Sequence, residues 1–250
     1  MLELFTDSFA SDPALDIALS QALLREVAAG ARGPVLRIFT PGAAVAFGRL
    51  DSRSPGFEAA AGAARRGGFV PVLRSAGGHA AAYDEGSVIL EHIVVADGPD
   101  ARLEPRFQAM TALILGALSA LGVPARAGEV PGEYCPGAHS INLGGRAKIA
   151  GVAQRVIARA ALTSAVIVVS GSARIRTVTD AVYRALGLPF DPGTVGAVED
   201  AAPVGVQDMT AALRAVYAAG DAVAAARVDA PLAARARALA GHHRIGEPLR

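Results

Sequence analysis

The chain has 250 residues, 52% apolar and 19% charged, with a net charge of +1. It is long enough to bury a sizeable core, and its charge balance gives no case for a nucleic-acid or anionic-membrane partner, both of which call for a basic excess. A single cysteine excludes an internal disulfide framework and suits a reducing compartment.

The acidic N-terminus, MLELFTDSFASD, lacks the basic flank and apolar run of a secretory leader. Asp12 and Pro13 then open a helix with an acceptor at the cap and proline in the first turn, and Gly30 closes it. Residues 35–40 and 43–47 read as two strands turned by Pro41-Gly42, with Gly48-Arg49 at the strand end. Residues 57–66 form a short alanine-rich helix stopped by Gly67-Gly68, and residues 69–74 a strand that Pro71 places at an edge or bulge. Arg74 leaves that strand, and Gly77-Gly78 make a turn at which the backbone can approach a ligand closely.

Residues 87–95 read as a strand with Val88, Leu90, His92 and Val94 on one face, where a lone histidine is read as part of the core. The longest uncharged stretch, residues 107–125, ends past Pro124 and reads as a buried helix, begun near Asp100 and running over 103–121. The expected setting is therefore cytoplasmic, with no membrane span. Residues 139–143 and 146–151 form a hairpin joined at Gly144-Gly145. Residues 152–159 continue as helix or strand, 165–170 as a buried strand and 174–186 as a helix. A Pro/Gly/Asp-rich linker over 189–206 leads to two alanine-rich helices over 207–239. Helices and strands mix without strict βαβ alternation, which predicts an α+β fold with mixed sheets flanked by helices.

The chemistry concentrates in residues 132–155, GEYCPGAHSINLGGRAKIAGVAQR. This stretch holds the one cysteine, Cys135, and, in a chain with 24 Lys+Arg, the one lysine, Lys148. A chain that otherwise uses arginine for positive charge keeps lysine where a compact ammonium cannot be replaced by a planar fork. Cys135 lies between Tyr134 and Pro136-Gly137, a loop setting; the alternative is a buried inert thiol. A loop thiol near an ammonium is a competent nucleophile, and His139, four residues on, could serve it as a base. One cysteine and one nearby histidine fall short of a metal site.

Three collinear segments carry a family resemblance. Residues 145–155, GRAKIAGVAQR, resemble the G-[RK]-K-[IL]-x-G-x-[AG]-Q-R signature of lipoate–protein ligases and octanoyltransferases. Residues 74–86, RSAGGHAAAYDEG, resemble their R-x-x-G-G-x-A-V-x-x-D-x-G loop, and residues 46–57, AFGRLDSRSPGF, are similar to the F-G-R-x-[DQ] segment before it. Together they span about residues 5–190. That span would be the catalytic domain (1–190) of a biotin/lipoate ligase-like fold, with a linker and helical C-terminal segment over 191–250. Cys135 shortly before the signature lysine looks most like the cysteine-dependent branch that moves octanoyl groups from the glycine cleavage H protein to other proteins. His79 stands where the ligases usually have a third glycine, and Tyr83 where they usually have histidine.

The resemblance implies acyl transfer to a lysine of a lipoyl-carrier protein through a thioester on Cys135. Lys148 would stabilise the oxyanion, and Arg49, Arg74, Gly77, Gly78, His79, Ala80, Gly151 and Gln154 would bind the acyl group. The small Ala80, Ala81 and Ala82 would leave room for an eight-carbon chain. Implied partners are the H protein and the lipoyl domains of 2-oxo acid dehydrogenases, with no nucleic acid. This branch requires no cofactor; the alternative, an ATP-dependent lipoate ligase, would use ATP and magnesium and leave Cys135 a bystander. A non-catalytic carrier-binding module and a hydrolase using Cys135 and His139 are the readings from other classes.

Overall fold

The computed structural model describes residues 1–96 and 103–246, so the helix start expected near Asp100 lies outside the described residues. Strand β1 (Leu2–Phe5) and helix α1 (Pro13–Ala28) come first, then β2 (Val35–Phe39), β3 (Ala44–Phe47), α2 (Phe57–Arg66), β4 (Val70–Leu73), β5 (Ala81–Tyr83) and β6 (Ser87–Val95). After them come α3 (Leu103–Ala120), β7 (Ala125–Ala127), β8 (Ile141–Leu143), β9 (Ala147–Ile157), β10 (Ala160–Val168) and α4 (Ser172–Leu186). The last elements are α5 (Val206–Gly220), β11 (Val223–Ala226) and α6 (Ala230–Ala240).

Eight strands form a mixed sheet in the order β11-β1-β2-β6-β10-β9-β8-β7, and β4-β3-β5 form a second, smaller sheet. The alternation of side chains along β6 divides the molecule. Val88 and Leu90 face Met110, Ile114 and Leu118 of α3 and Met209 and Leu213 of α5. Ile89 instead joins the core beneath the small sheet, and Ile93 the core beneath α1 and α6. His92 is half-buried on the α3 and α5 side, edge-on to Tyr217 at 5.6 Å. Burial pushes its imidazole below the usual histidine value, as suits a core histidine.

The hairpin expected at Pro41-Gly42 does not form. β2 is buried along its whole length and pairs with β1 and β6 in the main sheet, while β3 pairs with β4 and β5 in the other. Two consecutive apolar strands with a tight turn between them resemble a hairpin in sequence, but both faces of β2 demand cover that only a central position supplies. Pro71 does lie in an edge strand, β4. Residues 152–157 are strand, since β9 continues to Ile157 and pairs with β10. The Gly144-Gly145 turn has both residues left-handed, at φ 59° and 72°, and the Arg146 N–H donates to the Leu143 carbonyl at 3.1 Å.

The segment after residue 190 is more than helical. β11 adds in parallel to β1, α6 packs on α1, and α5 packs on α3. No helix among the described residues is long and apolar enough to cross a membrane.

Between α1 and the main sheet, Arg37 of β2 is fully buried. It pairs with Asp16 at 3.1 Å and Glu91 at 3.0 Å and also donates to the Ser20 hydroxyl. A guanidinium at this depth requires such partners, because an uncompensated buried charge is strongly destabilising. Burial pushes the Asp16 carboxyl above its usual value, and the Arg37 charge opposes that rise.

Candidate active site

Cys135 sits in the loop between β7 and β8 with φ 42°, the one non-glycine residue in the left-handed region among those described. That conformation costs about 1–2 kcal/mol and persists only when its surroundings hold it. Both sides of the residue are held. Its N–H donates to the Tyr183 hydroxyl at 2.7 Å, and its carbonyl accepts from Lys148 Nζ at 2.9 Å. Burial pushes the Tyr183 hydroxyl well above tyrosine's usual value, so it keeps its proton and donates it to the Ala80 carbonyl at 3.0 Å. Tyr183 on α4 thereby ties the Cys135 loop to the loop before β5. Tyr183→Phe strands a buried donor and a buried acceptor, with an expected loss of about 1–3 kcal/mol in denaturant unfolding.

Lys148 on β9 is 1% exposed and Glu133 2%. The ammonium's three donors go to Glu133 Oε1 at 3.0 Å, the Tyr134 carbonyl at 3.0 Å and the Cys135 carbonyl at 2.9 Å. Glu133 also accepts from the N–H groups of Val130 (3.0 Å) and Gly137 (3.2 Å) and from the Ser140 hydroxyl. Burial pushes the Lys148 ammonium below lysine's usual value, and Glu133 pulls it back. A methyl group on Gly151 would lie 3.2 Å from Lys148 Cε, so the seat fits a slim chain and a compact head. In this arrangement Lys148 braces the backbone of the cysteine loop.

The cation at the sulfur is Arg74. Its Nη2 lies 3.2 Å from Cys135 Sγ and also donates to the His79 carbonyl. Gly78, with φ 94°, closes over them: a methyl there would sit 2.6 Å from both Sγ and Arg74 Nη2. Gly78→Ala is expected to slow acylation of Cys135 about a hundredfold, the cost of displacing a reacting group by about an ångström. Stopped acylation at the millisecond-to-second scale, beside an unfolding curve, separates that effect from instability.

Cys135 lies on the wall of a cavity of about 480 Å³ between the main sheet, the small sheet and α1. Its walls are largely apolar, with Ile17, Phe39, Ala81, Ile89, Leu162 and Val166 among them, and Asp16, Ser20 and Glu91 add polar groups. Of the residues predicted to serve the site, Cys135, Lys148, Arg74, Gly77, Gly78, Gly151 and Gln154 all line this cavity. Gln154 is bound to the start of α3, donating to the Leu103 carbonyl at 2.8 Å and accepting from Arg106 at 3.0 Å.

Arg49, His79 and Ala80 are not among the lining residues. Arg49 is exposed and lines a second hollow. His79 turns to buried Asp51 at 2.7 Å, and Ala80 packs in the core beside Tyr183. Along β5, Ala81 and Tyr83 face the cavity while Ala82 faces the opposite core, as strand alternation requires. His139 reaches the cavity wall, but its ring stacks on Phe107 at 4.8 Å and meets Glu104 at 3.1 Å, so it makes no contact with the thiol. Glu133 and Tyr183 were not legible as site residues: Glu133 acts through the Lys148 ammonium and its own loop, and Tyr183 through backbone groups of Cys135 and Ala80 distant in sequence.

Residues 12–211 match the lipoyl protein ligase A/B catalytic domain. The chain belongs to that family. The octanoyl-[GcvH]:protein N-octanoyltransferase of Geobacillus kaustophilus is 30% identical over 165 residues, 66% of this chain and 58% of that protein. The protein of the same name from Exiguobacterium sibiricum is 30% identical over 183 residues, 72% of this chain and 63% of that one. The family member thus spans less than two thirds of the length of either relative. A lipoate-protein ligase A bound with ATP superposes with a TM-score of 0.78 at 21% identity, covering 96% of this chain and 94% of that one. The bipartite lipoate protein ligase of Thermoplasma acidophilum, solved in a study of its E2 lipoyl domain, gives 0.71 at 18%, covering 96% and 91%. These two share the fold.

Proposed function

We propose that this protein transfers an octanoyl or lipoyl group to a lysine of a lipoyl-carrier protein through a thioester on Cys135, without ATP. The observation that carries the reading is a strained cysteine, braced on both sides of its backbone, with its sulfur beside a guanidinium on the wall of an apolar cavity. The names of the relatives support it, because each acts on an octanoyl group carried by GcvH.

The apolar cavity takes the acyl chain and leaves its carbonyl at Cys135. The thiolate attacks the carbonyl carbon of the donor's acyl-lysine amide, forming a C–S bond and a tetrahedral oxyanion. Collapse breaks the C–N bond, the departing lysine amine takes up a proton, and a thioester remains on Cys135. The acceptor lysine's neutral amine then attacks the thioester carbonyl carbon, and a C–N bond forms. The C–S bond breaks to return the thiolate, and the amide nitrogen gives up one proton to solvent, balancing the proton taken up in the first half. Arg74 stabilises negative charge on sulfur and on the developing oxyanion nearby. Lys148, with its donors committed, acts as a positioning residue.

The test supplies an octanoylated H protein and an apo lipoyl domain, first without nucleotide. Acyl transfer with no AMP formed is the expected result. Transfer only after adding free lipoate and ATP, with AMP released, would replace this reading by the ligase one.

A further inference from the structure

A second hollow, of about 540 Å³, adjoins the catalytic cavity and shares Arg74 and Ser75 with it. Its lining includes Arg25, Arg49, Arg53, Arg74, Arg155 and His242, and no aspartate or glutamate. The whole chain carries only +1, so this concentration of one sign is local. The side chains of Arg25, Arg49, Arg53 and Arg155 have neither a hydrogen-bond nor an ion-pair partner among the described residues. Outside the hollow, arginines are of both kinds: Arg32 pairs with Glu3 and Glu26, Arg37 with Asp16 and Glu91 and Arg174 with Asp84 and Glu85, whereas others, Arg66 and Arg146 among them, have no such partner among the described residues. What marks the hollow is that four of the second kind gather on one lining. Unpaired like charges gathered at one place repel, so the fold bears a cost here that an anionic partner would relieve.

We propose that this arginine-lined hollow docks an acidic face of the carrier protein whose lysine meets Cys135. The inference rests on the acyl-transfer reading above and adds the surface that delivers the carrier. The arginines rise from α1, the turn after β3, the end of β4 and β9, and His242 follows α6. Arg25, Arg49, Arg53 and His242 are exposed. A spread, exposed ring of long side chains suits an extended acidic protein surface better than one phosphate, which a compact nest of backbone N–H groups would hold. Leu50, 65% exposed between Arg49 and Arg53, supplies an apolar contact of the kind protein interfaces use and phosphate sites do not. The place is right as well, because a lysine entering the catalytic cavity past Arg74 brings its parent domain against this rim.

The test uses Arg25→Glu/Arg53→Glu, with Arg25→Gln/Arg53→Gln and Arg25→Lys/Arg53→Lys as controls. Both positions are exposed and unpartnered, so folding is retained, and circular dichroism checks it. The dissociation constant for an apo H protein, from isothermal titration, is expected to rise about tenfold or more in the glutamate variant, less in the glutamine variant and not in the lysine variant. Added salt should weaken binding to the parent more than to the glutamate variant. Acylation of Cys135 by the uncharged thioester S-octanoyl-N-acetylcysteamine should stay at the parent rate in all three. An unchanged carrier affinity in the glutamate variant overturns the proposal. So does pyrophosphate or AMP stabilising the parent, but not the glutamate variant, against heat while carrier affinity stays constant; the ring is then a phosphate site. No acylation of the parent by the small thioester would instead defeat the thioester reading, while the titration still decides the docking surface.

Discussion

Incubation with an octanoylated H protein in the absence of ATP is expected to add one octanoyl group to the intact mass of this protein, and hydroxylamine to remove it. Cys135→Ser is expected to show no such adduct, and its transfer rate to fall by at least about a thousandfold, the scale on which loss of a nucleophile is felt. The reasons are local. A serine hydroxyl is hardly ionised at neutral pH, so the Arg74 guanidinium 3.2 Å from the sulfur has no anion to stabilise before attack. An ester on serine would also pass its acyl group to an amine far more slowly than a thioester does. The substitution removes no backbone contact, since Tyr183 and Lys148 bind the N–H and carbonyl of residue 135 whatever its side chain. A folded Cys135→Ser protein that transfers octanoyl groups at the parent rate would sink the covalent mechanism.

The second large effect lies at Lys148. Lys148→Met leaves the Glu133 carboxylate buried with no cation, at an expected cost of about 3–5 kcal/mol in unfolding free energy. Glu133→Gln strands the ammonium and is costly for the same reason. The double variant Lys148→Met/Glu133→Gln removes both charges and should be more stable than the two single losses added together, with a coupling of about 1–3 kcal/mol. Denaturant titration of the four proteins measures that coupling. Strict additivity would show that the pair does not act as one unit. Lys148→Arg keeps the charge but needs width where Gly151 leaves little, so it should also fall short of the parent. Because Lys148 holds the loop and makes no contact with the sulfur, the double variant should still alkylate at Cys135 with iodoacetamide while acyl transfer stays impaired.

What could be read in advance was local chemistry. A lone lysine in an arginine-rich chain, a lone cysteine between turn residues and a Gly-Gly turn after a strand each carry their signal within a few positions. The structure brings Cys135, Lys148, Arg74 and Gly78 to one cavity. Pairings across the chain were less legible. β2 and β3 look like a hairpin until the burial of both faces of β2 is known. The cation beside the sulfur is Arg74, sixty-one positions away, while the lysine thirteen positions away faces carbonyls instead. Lys148 alternates along β9 to the cavity side, but which donors it meets depends on Glu133, a loop carboxylate no periodicity marks. In the same way Ala80 and His79 belong to the Gly77-Gly78 segment by sequence, yet the turn sends one into the core and the other to Asp51.

The order of the main sheet has a bearing on how the chain is made. β1, made before every other strand of that sheet, finds its outer neighbour only in β11, with Leu2 opposite Val223 and Phe5 opposite Ala226. Until residue 226 is synthesised, that edge of the sheet offers unpaired backbone groups beside the apolar Leu2, Leu4 and Phe5, a template for association with other chains. Closing it is the contact of greatest sequence separation in the sheet, and such contacts form slowly. During synthesis, cover for the outer edge of β1 therefore waits on β11.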